Sequence, residues 1–346
     1  MPSQRISSQA IPTVIAALVA LTAPRGATAN DFFAGKTISL STHSDVGGGY
    51  DAYLRLLSRH MGKYIPGRPD FIVLNQPGQG GRLAVENAAK APQDGTFLTL
   101  VAQSVLTMGV TAGPGLQTSL AAFKWIGNFN QSNNVTVTWA ASNVKTLRDA
   151  MARDVIVGAT GAGTASELGP NLYNSLLGTR FKVKVGYGGG DAIDAAMQRG
   201  EIDGRANSIW ASIKMTLHQE IRDHKVNVLI QMGVRKEPEL PDVPLLSDLV
   251  AADPKKEAIA QFMSQAVSAA RPFAAPPGVP DDRVALLRAA FDMTMRDPEF
   301  LADARKLSVE IDPMSGERTQ AIIAGVLAAP KPVLADVQAA LSGGAK

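Results

Sequence analysis

Three times in this chain a short β-type run passes through a glycine-rich turn directly into a helical pattern, and that recurrence limits the possible folds more than any other feature. The first turn follows residues 37–42 and reads Ser44-Asp45-Val46-Gly47-Gly48-Gly49-Tyr50-Asp51; the second is Gly161-Ala162-Gly163-Thr164-Ala165-Ser166-Glu167; the third is Gly188-Gly189-Gly190-Asp191. Further β-type runs at 71–76, 97–102, 135–140, 155–160, 182–187 and 227–232 alternate with helical spacings such as Leu54, Leu57, Met61, Ile65 and Leu168, Leu172, Leu176. Alternation of this kind argues for an α/β fold of parallel sheets flanked by helices, each helix laying one apolar face on a sheet. At roughly 100–200 residues per domain, a chain of 346 residues is expected to form two lobes.

The same turns carry chemistry. A helix N-terminus presents unpaired backbone N–H groups and about half a positive charge, so several such ends facing one cleft would hold a carboxylate without Lys or Arg. A single glycine turn is ordinary strand-to-helix punctuation; its repetition at strand C-terminal ends of an α/β scaffold points to ligand binding. Thr164 and Glu167 have capping-box spacing. Asp51 and Asp191 are expected to organise their loops by turning back to their own helix amides, because a carboxylate aimed into an anion pocket would repel the ligand.

Composition narrows the function classes. Cysteine is absent, which removes disulfides, thiolate metal sites and a cysteine nucleophile. Arg5, the apolar stretch 11–21 and Ala27-Thr28-Ala29 follow the order of a secretory signal peptide cleaved after Ala29. Removing Arg5 and Arg25 with that segment lowers the formal charge from +3 to +1, which indicates neither nucleic-acid nor membrane binding. His218 and His224 are wrongly spaced for two ligands on one helical face, Ser142-x-x-Lys145 lacks companion motifs, and neither a P-loop nor a spaced G-x-G-x-x-G occurs; no metal and no cofactor is expected. His43, beside the first glycine turn, reads either as a donor to an anionic ligand or as a loop histidine. Residues 238–244, with three prolines, read as an external loop, and 271–280 as a second break before the final helices.

In combination the motifs resemble the extracytoplasmic receptors of tripartite tricarboxylate transporters, often called Bug proteins. The resemblance rests on Gly47-Gly48-Gly49-Tyr50-Asp51 followed by Arg55-Leu56-Leu57, on Asn75-Gln76-Pro77-Gly78-Gln79-Gly80-Gly81, on Ala91-Pro92-Gln93-Asp94-Gly95-Thr96, and on Gly161 to Ser166. Tyr187 to Ala192 with Gly200-Glu201-Ile202-Asp203, Leu240 to Pro244 and Ala275 to Pro280 extend it over nearly the whole mature chain.

The resemblance implies a two-lobed, type II-like periplasmic-binding-protein fold with the ligand cleft between the lobes. The first lobe would comprise 30–128 and 263–346, the second 129–262, with the chain crossing near 128 and 262. The implied function is capture of a small organic carboxylate for two integral-membrane permease subunits, by a monomeric receptor that is not an enzyme. A ligand-sensing subunit for a sensor kinase, and a hydrolase using Ser104 or Ser166 with His43, are the alternatives. Amides and hydroxyls of the glycine loops would hold the carboxylate: Val46, Gly47, Gly48, Gly49 and Tyr50 from the first, Gly163, Thr164 and Ser166 from the second, with Ser104 and Asp191 alongside. Val46 stands where the family has proline, and Asp45 and Tyr50 depart from its pattern. Tyr50, Arg205 and Trp210 read either as the lining of a larger pocket or as interior residues, and Arg271 as hinge or ligand contact.

Overall fold

Besides Met1, the computed structural model describes residues 32–111 and 120–342; the expected signal segment 1–29 lies, Met1 apart, outside them. The strands are β1 (Thr37–Thr42), β2 (Asp70–Asn75), β3 (Phe97–Leu100), β4 (Lys124–Asn128), β5 (Asn134–Trp139), β6 (Val155–Ala159), β7 (Phe181–Val185), β8 (Gly204–Ile209), β9 (Val226–Met232), β10 (Pro272–Ala275) and β11 (Met314–Ser315). They form two sheets, in the orders β11-β4-β10-β3-β1-β2 and β7-β6-β8-β5-β9.

The sheets are parallel only in part, which corrects the expectation of parallel sheets. β2, β1 and β3 run parallel, as do β7, β6 and β8. β10 is antiparallel to both β3 and β4, and β5 to both β8 and β9. The exceptions follow from the chain path: β4 leaves the first sheet, β5 enters the second, and β10 is the return. Four strands, β4, β8, β10 and β11, lie outside the β-type runs of the sequence, and two of them show why. β8, Gly-Arg-Ala-Asn-Ser-Ile, is buried at every position although half of it is polar or charged, so it shows no alternation. β10 lies within the run that reads as a loop, but its four buried residues, Pro-Phe-Ala-Ala, sit in the middle of the sheet with Pro272 at the first position, where proline is tolerated.

The chain passes between the sheets at 129–133 and again at 269–271. Position 262, where the second passage was expected, lies inside the helix Pro254–Ser268. The two passages run side by side and bond to one another: the Phe129 amide donates to the Arg271 carbonyl, the Ala270 amide to the Asn130 carbonyl, and the Arg271 amide to Asn128 Oδ1 at 2.8 Å. Buried amide side chains complete this seam, Asn128 Nδ2 donating to the Asn130 carbonyl and Asn130 Oδ1 accepting from the Ser132 amide. Backbone leaving a sheet in the interior has no ladder partner, and these asparagines supply one.

Each lobe has its own core. In the first, the rings of Phe129, Phe273 and Phe291 meet pairwise at 5.0–6.0 Å, next to Leu40, Leu54, Leu57 and Leu98. In the second, the helix Ala165–Leu177 lies on β8, and Leu172, Tyr173 and Leu176 pack with Val155 and Val157. Val337 and Leu341 of the last described helix, Lys331–Leu341, share that second cluster. Gly169 permits the close approach of helix to strand, since a Cβ there would lie 2.1 Å from Asn207 Cβ.

Two glycine substitutions should therefore have opposite signs. Gly169→Ala overpacks the helix–strand contact and should lower stability by about 1–3 kcal/mol. Gly325→Ala, in the helix Gly316–Leu327 with open space around it, should raise it by roughly 0.5–1 kcal/mol. Urea unfolding midpoints of both variants check this; a stable Gly169→Ala protein would contradict the packing described.

Candidate functional site

The glycine turns end at a single cavity of about 680 Å³ between the two lobes. From the first lobe it is lined by 43–50, by 77–81 and by Ala102, Gln103 and Ser104. From the second it is lined by parts of 160–166, by 188–192, by Arg205, Asn207, Ser208 and Ile209, and by Ser212, Met215 and Thr216. The helices Gly49–His60, Gln103–Thr111, Ala165–Leu177, Gly190–Gln198 and Trp210–Arg222 all begin here. Across the opening the lobes touch glycine on glycine: a Cβ at Gly80, which holds φ +61°, would sit 2.9 Å from the Gly163 carbonyl oxygen.

The first loop is set by Asp51, which is buried. Its Oδ2 accepts from the Gly47 amide at 2.9 Å and from Arg55 Nε at 2.7 Å, and its Oδ1 accepts from Asn75 Nδ2 at 2.9 Å. Burial raises the Asp51 pKa, but the bonds from Arg55, the Gly47 amide and Asn75 outweigh it and hold the carboxyl below its ordinary range. The Gly48 amide donates to the Asp45 carbonyl. Two of the amides expected to face a ligand are thus engaged within the loop, and those with no intrahelical acceptor are Gly49 and Tyr50, in the first turn of the helix.

The second loop repeats this arrangement with different residues. Glu167 Oε2 accepts from the Gly163 amide at 2.8 Å, one residue earlier than the capping box predicts. Thr164 makes no capping bond; its Oγ donates to the Gly161 carbonyl at 2.7 Å and lies 3.0 Å from Ser166 Oγ, which accepts from the Thr160 amide. A hydroxyl has one proton. With the Thr164 proton on Gly161, Ser166 donates to Thr164, and neither proton is left for a ligand. The Ser104 proton is likewise committed, to the Gly80 carbonyl at 2.8 Å. In this loop the donors left without a partner are the helix-start amides of Ala165 and Ser166, not the hydroxyls.

In the third turn Gly189 is the N-cap without a side-chain capping bond, and Asp191 is exposed, with no hydrogen bond to its own helix. The loop-organising role expected of Asp191 has no counterpart in the geometry. Arg205 lines the cavity, but Nη1 meets both oxygens of Asp194 at 3.0–3.1 Å and Nε donates to Ser208 Oγ, so its charge is neutralised within the lobe. Thr216 donates to the same Asp194.

The other expected residues fall at the rim, in the lining or in the interior. Val46 is 73 % exposed at the rim. Gly163 stands at the contact with Gly80 and is not part of the cavity lining. Trp210 is buried against Val135, Ile193 and Ile213, with Nε1 donating to Glu239 Oε2 at 3.0 Å. Tyr50 lines the cavity with its ring, while its hydroxyl donates to the Ala270 carbonyl and accepts from the Gln103 amide. Arg271 is fully buried behind the cavity floor, its guanidinium 4.5 Å from the Tyr50 ring and 4.3 Å from the Tyr53 ring. Ser212, which the sequence reading missed, lines the floor and accepts from Arg271 Nη2 at 2.6 Å.

His43 lines the cavity edge-on to Tyr50, ring centroids 4.5 Å apart. Burial, and secondly the charge of Arg271, lower its pKa to about 4. It is neutral at pH 7, and the protons of Ser104 and Ser166, the two serines expected to pair with it, go to the Gly80 carbonyl and to Thr164 and not to its ring.

A family model described as "Tripartite tricarboxylate transporter family receptor" matches residues 55–338. An Agrobacterium vitis protein, "UPF0065 protein in the TAR-I ttuE-ttuC' intergenic region", is 25% identical over 237 residues; the match covers 67% of this chain and 66% of that protein, just under two thirds of its length. Among solved structures, MatC from Rhodopseudomonas palustris with bound malate superposes with a TM-score of 0.65 at 18% identity, covering 89% of this chain and 99% of that one. An R. palustris protein with adipate gives 0.66 at 15% identity, covering 88% and 97%. At these identities the two structures establish the shared two-lobed fold.

The His43 shift has a consequence for stability. Its folded pKa lies below the ordinary 6.5, so the stability from keeping it neutral is full above that value and is lost as the pH falls toward 4. The loss amounts to about 3 kcal/mol at most. His43→Gln should lose less stability than the parent protein between pH 7 and pH 4.5 in urea unfolding; equal losses would contradict the assignment.

Proposed function

Because the chain belongs to the family of tripartite tricarboxylate transporter receptors, we propose that it captures a small carboxylate-bearing organic anion in the periplasm. It delivers that anion to the two integral-membrane permease subunits of a tripartite tricarboxylate-type transporter. The family is one of solute receptors, and in this reading the protein works as a monomer without metal, cofactor or nucleic acid, and no chemical step takes place in the cleft. The observation that carries the reading is the convergence of free helix-start amides, Gly49 and Tyr50 from one lobe and Ala165 and Ser166 from the other, on one interlobe cavity whose serine and threonine protons are largely committed. Such amides are fixed donors that cost no reorganisation on binding, and the positive helix ends favour an anion over a neutral solute. The malate and adipate in the related structures are carboxylates of suitable size. The engagement of both lobes supports binding by closure.

A thermal-shift screen of the protein, refolded to strip carried-over ligand, tests the proposal. Mono-, di- and tricarboxylates, aromatic acids, amino acids, sugars and phosphates form the panel. A ligand at 100 times its Kd adds roughly 2.7 kcal/mol, a shift of several degrees. Carboxylates are the expected hits; stabilisation by uncharged compounds alone would overturn the anion-site reading.

A further inference from the structure

Arg271 is a fully buried guanidinium with no acidic partner among the described residues, and two of its three nitrogens, Nε and Nη1, have no hydrogen-bond partner there. A buried cation is ordinarily paired, as Arg205 is by Asp194 in the other wall of the same cavity. The third nitrogen, Nη2, donates to Ser212 Oγ at 2.6 Å. Ser212 belongs to the first turn of the helix Trp210–Arg222 and lines the cavity floor, and its own hydroxyl proton has no acceptor among the described residues. In this it differs from Ser104, Thr164 and Ser166. Opposite it stands Gly49: a Cβ at that position would lie 3.2 Å from Ser212 Oγ and 3.3 Å from Arg271 Nη2, and glycine leaves the space open.

We propose that Ser212 is the side-chain donor that reads the ligand carboxylate at the hinge side of the cleft, and that Arg271 behind it is a positioning residue that polarises its hydroxyl and supplies the unpaired positive charge of the floor. The inference rests on the carboxylate-receptor reading and deepens it. By accepting a charge-assisted hydrogen bond, the Ser212 oxygen fixes its lone pair on Arg271 and turns its proton away from the guanidinium; the bond also makes that proton a stronger donor. The guanidinium is itself held between Tyr50 and Tyr53 by cation–π contacts, so it does not need a carboxylate to stay in place. The missing counter-charge then arrives with the ligand. Because Ser212 belongs to the second lobe and the Arg271 backbone to the hinge, this contact also joins ligand capture to lobe position.

The experiment is a double-mutant cycle read by titration calorimetry with adipate, hexanoate and hexanamide, which share one carbon chain and differ in charge. Ser212→Ala and Arg271→Gln should each weaken binding of the anionic probe that the parent binds by at least 10-fold. The double variant should be no weaker than the worse single one, and Ser212→Thr, which keeps the hydroxyl, should restore most of the affinity. Unliganded Arg271→Gln should melt at or above the parent temperature, since it loses an uncompensated buried charge; a residue that merely held the fold would melt lower. Parent-like affinity in Ser212→Ala overturns the proposal and leaves the receptor reading intact, as do additive losses in the cycle. Binding of hexanamide by the parent, with neither anion bound, overturns both.

Discussion

The cleft depends on one seam of hydrogen bonds. The two passages between the sheets, residues 129–133 and 269–271, are bonded to each other through Phe129, Asn130, Ala270 and Arg271, and Asn128 reaches across to the Arg271 amide. Backbone crossing a protein interior must find partners for every N–H and carbonyl, and here each passage serves as partner to the other. The seam fixes how the C-terminal ends of the first sheet face those of the second. It also brings Arg271 to the cavity floor, and Ser132, whose Oγ accepts from the Ala211 amide, to the start of the helix that carries Ser212.

Around that seam the site is made largely of backbone. Five helices start at the cavity, and the loops ahead of them satisfy some of their own amides with acidic side chains, Asp51 on Gly47 and Glu167 on Gly163. The carboxylates thereby shape the loops while leaving the next amides in line free. The same economy appears in the hydroxyls, whose protons close local bonds at Ser104, Thr164 and Ser166. Charge is kept inside each lobe where it would compete with the ligand: Arg205 is neutralised by Asp194, and His43 is held neutral by burial. What faces the cleft is a set of oriented dipoles with one buried cation behind them, and the exposed Asp45 and Asp191 stand among the lining residues.

Much of the fold is legible in the sequence because most strands alternate β-branched or other apolar residues with polar ones and end at glycine, proline or serine turns. β1, β2, β5, β6 and β9 lie within a residue of the runs that announce them, and β7 within two. β8 and β10 are not legible for a shared reason: they are central strands in contact with the site or the hinge, and their composition answers to that contact, not to a pleated surface. Arg205, Asn207 and Ser208 in β8 and Pro272 beside Arg271 in β10 break the period-two pattern that marks a strand. The three glycine turns likewise point to the cavity, but which amides remain free depends on where the Asp51 and Glu167 carboxylates and the Asp45 backbone carbonyl point, and no local pattern announces that. Ser212 carries no local signal at all, since its role comes from a residue 59 positions away in sequence.

In the proposed function, backbone amides of two helix starts, one from each lobe, hold the ligand's carboxylate. Amide proton and nitrogen NMR shifts of Gly49, Tyr50, Ala165 and Ser166, followed during titration with the carboxylate that stabilises the protein most, test it directly. These four amides are expected to move downfield together and saturate at one stoichiometric equivalent, while the Gly47 and Gly163 amides, already bonded to Asp51 and Glu167, move little. Saturation with the four amides unmoved would contradict it.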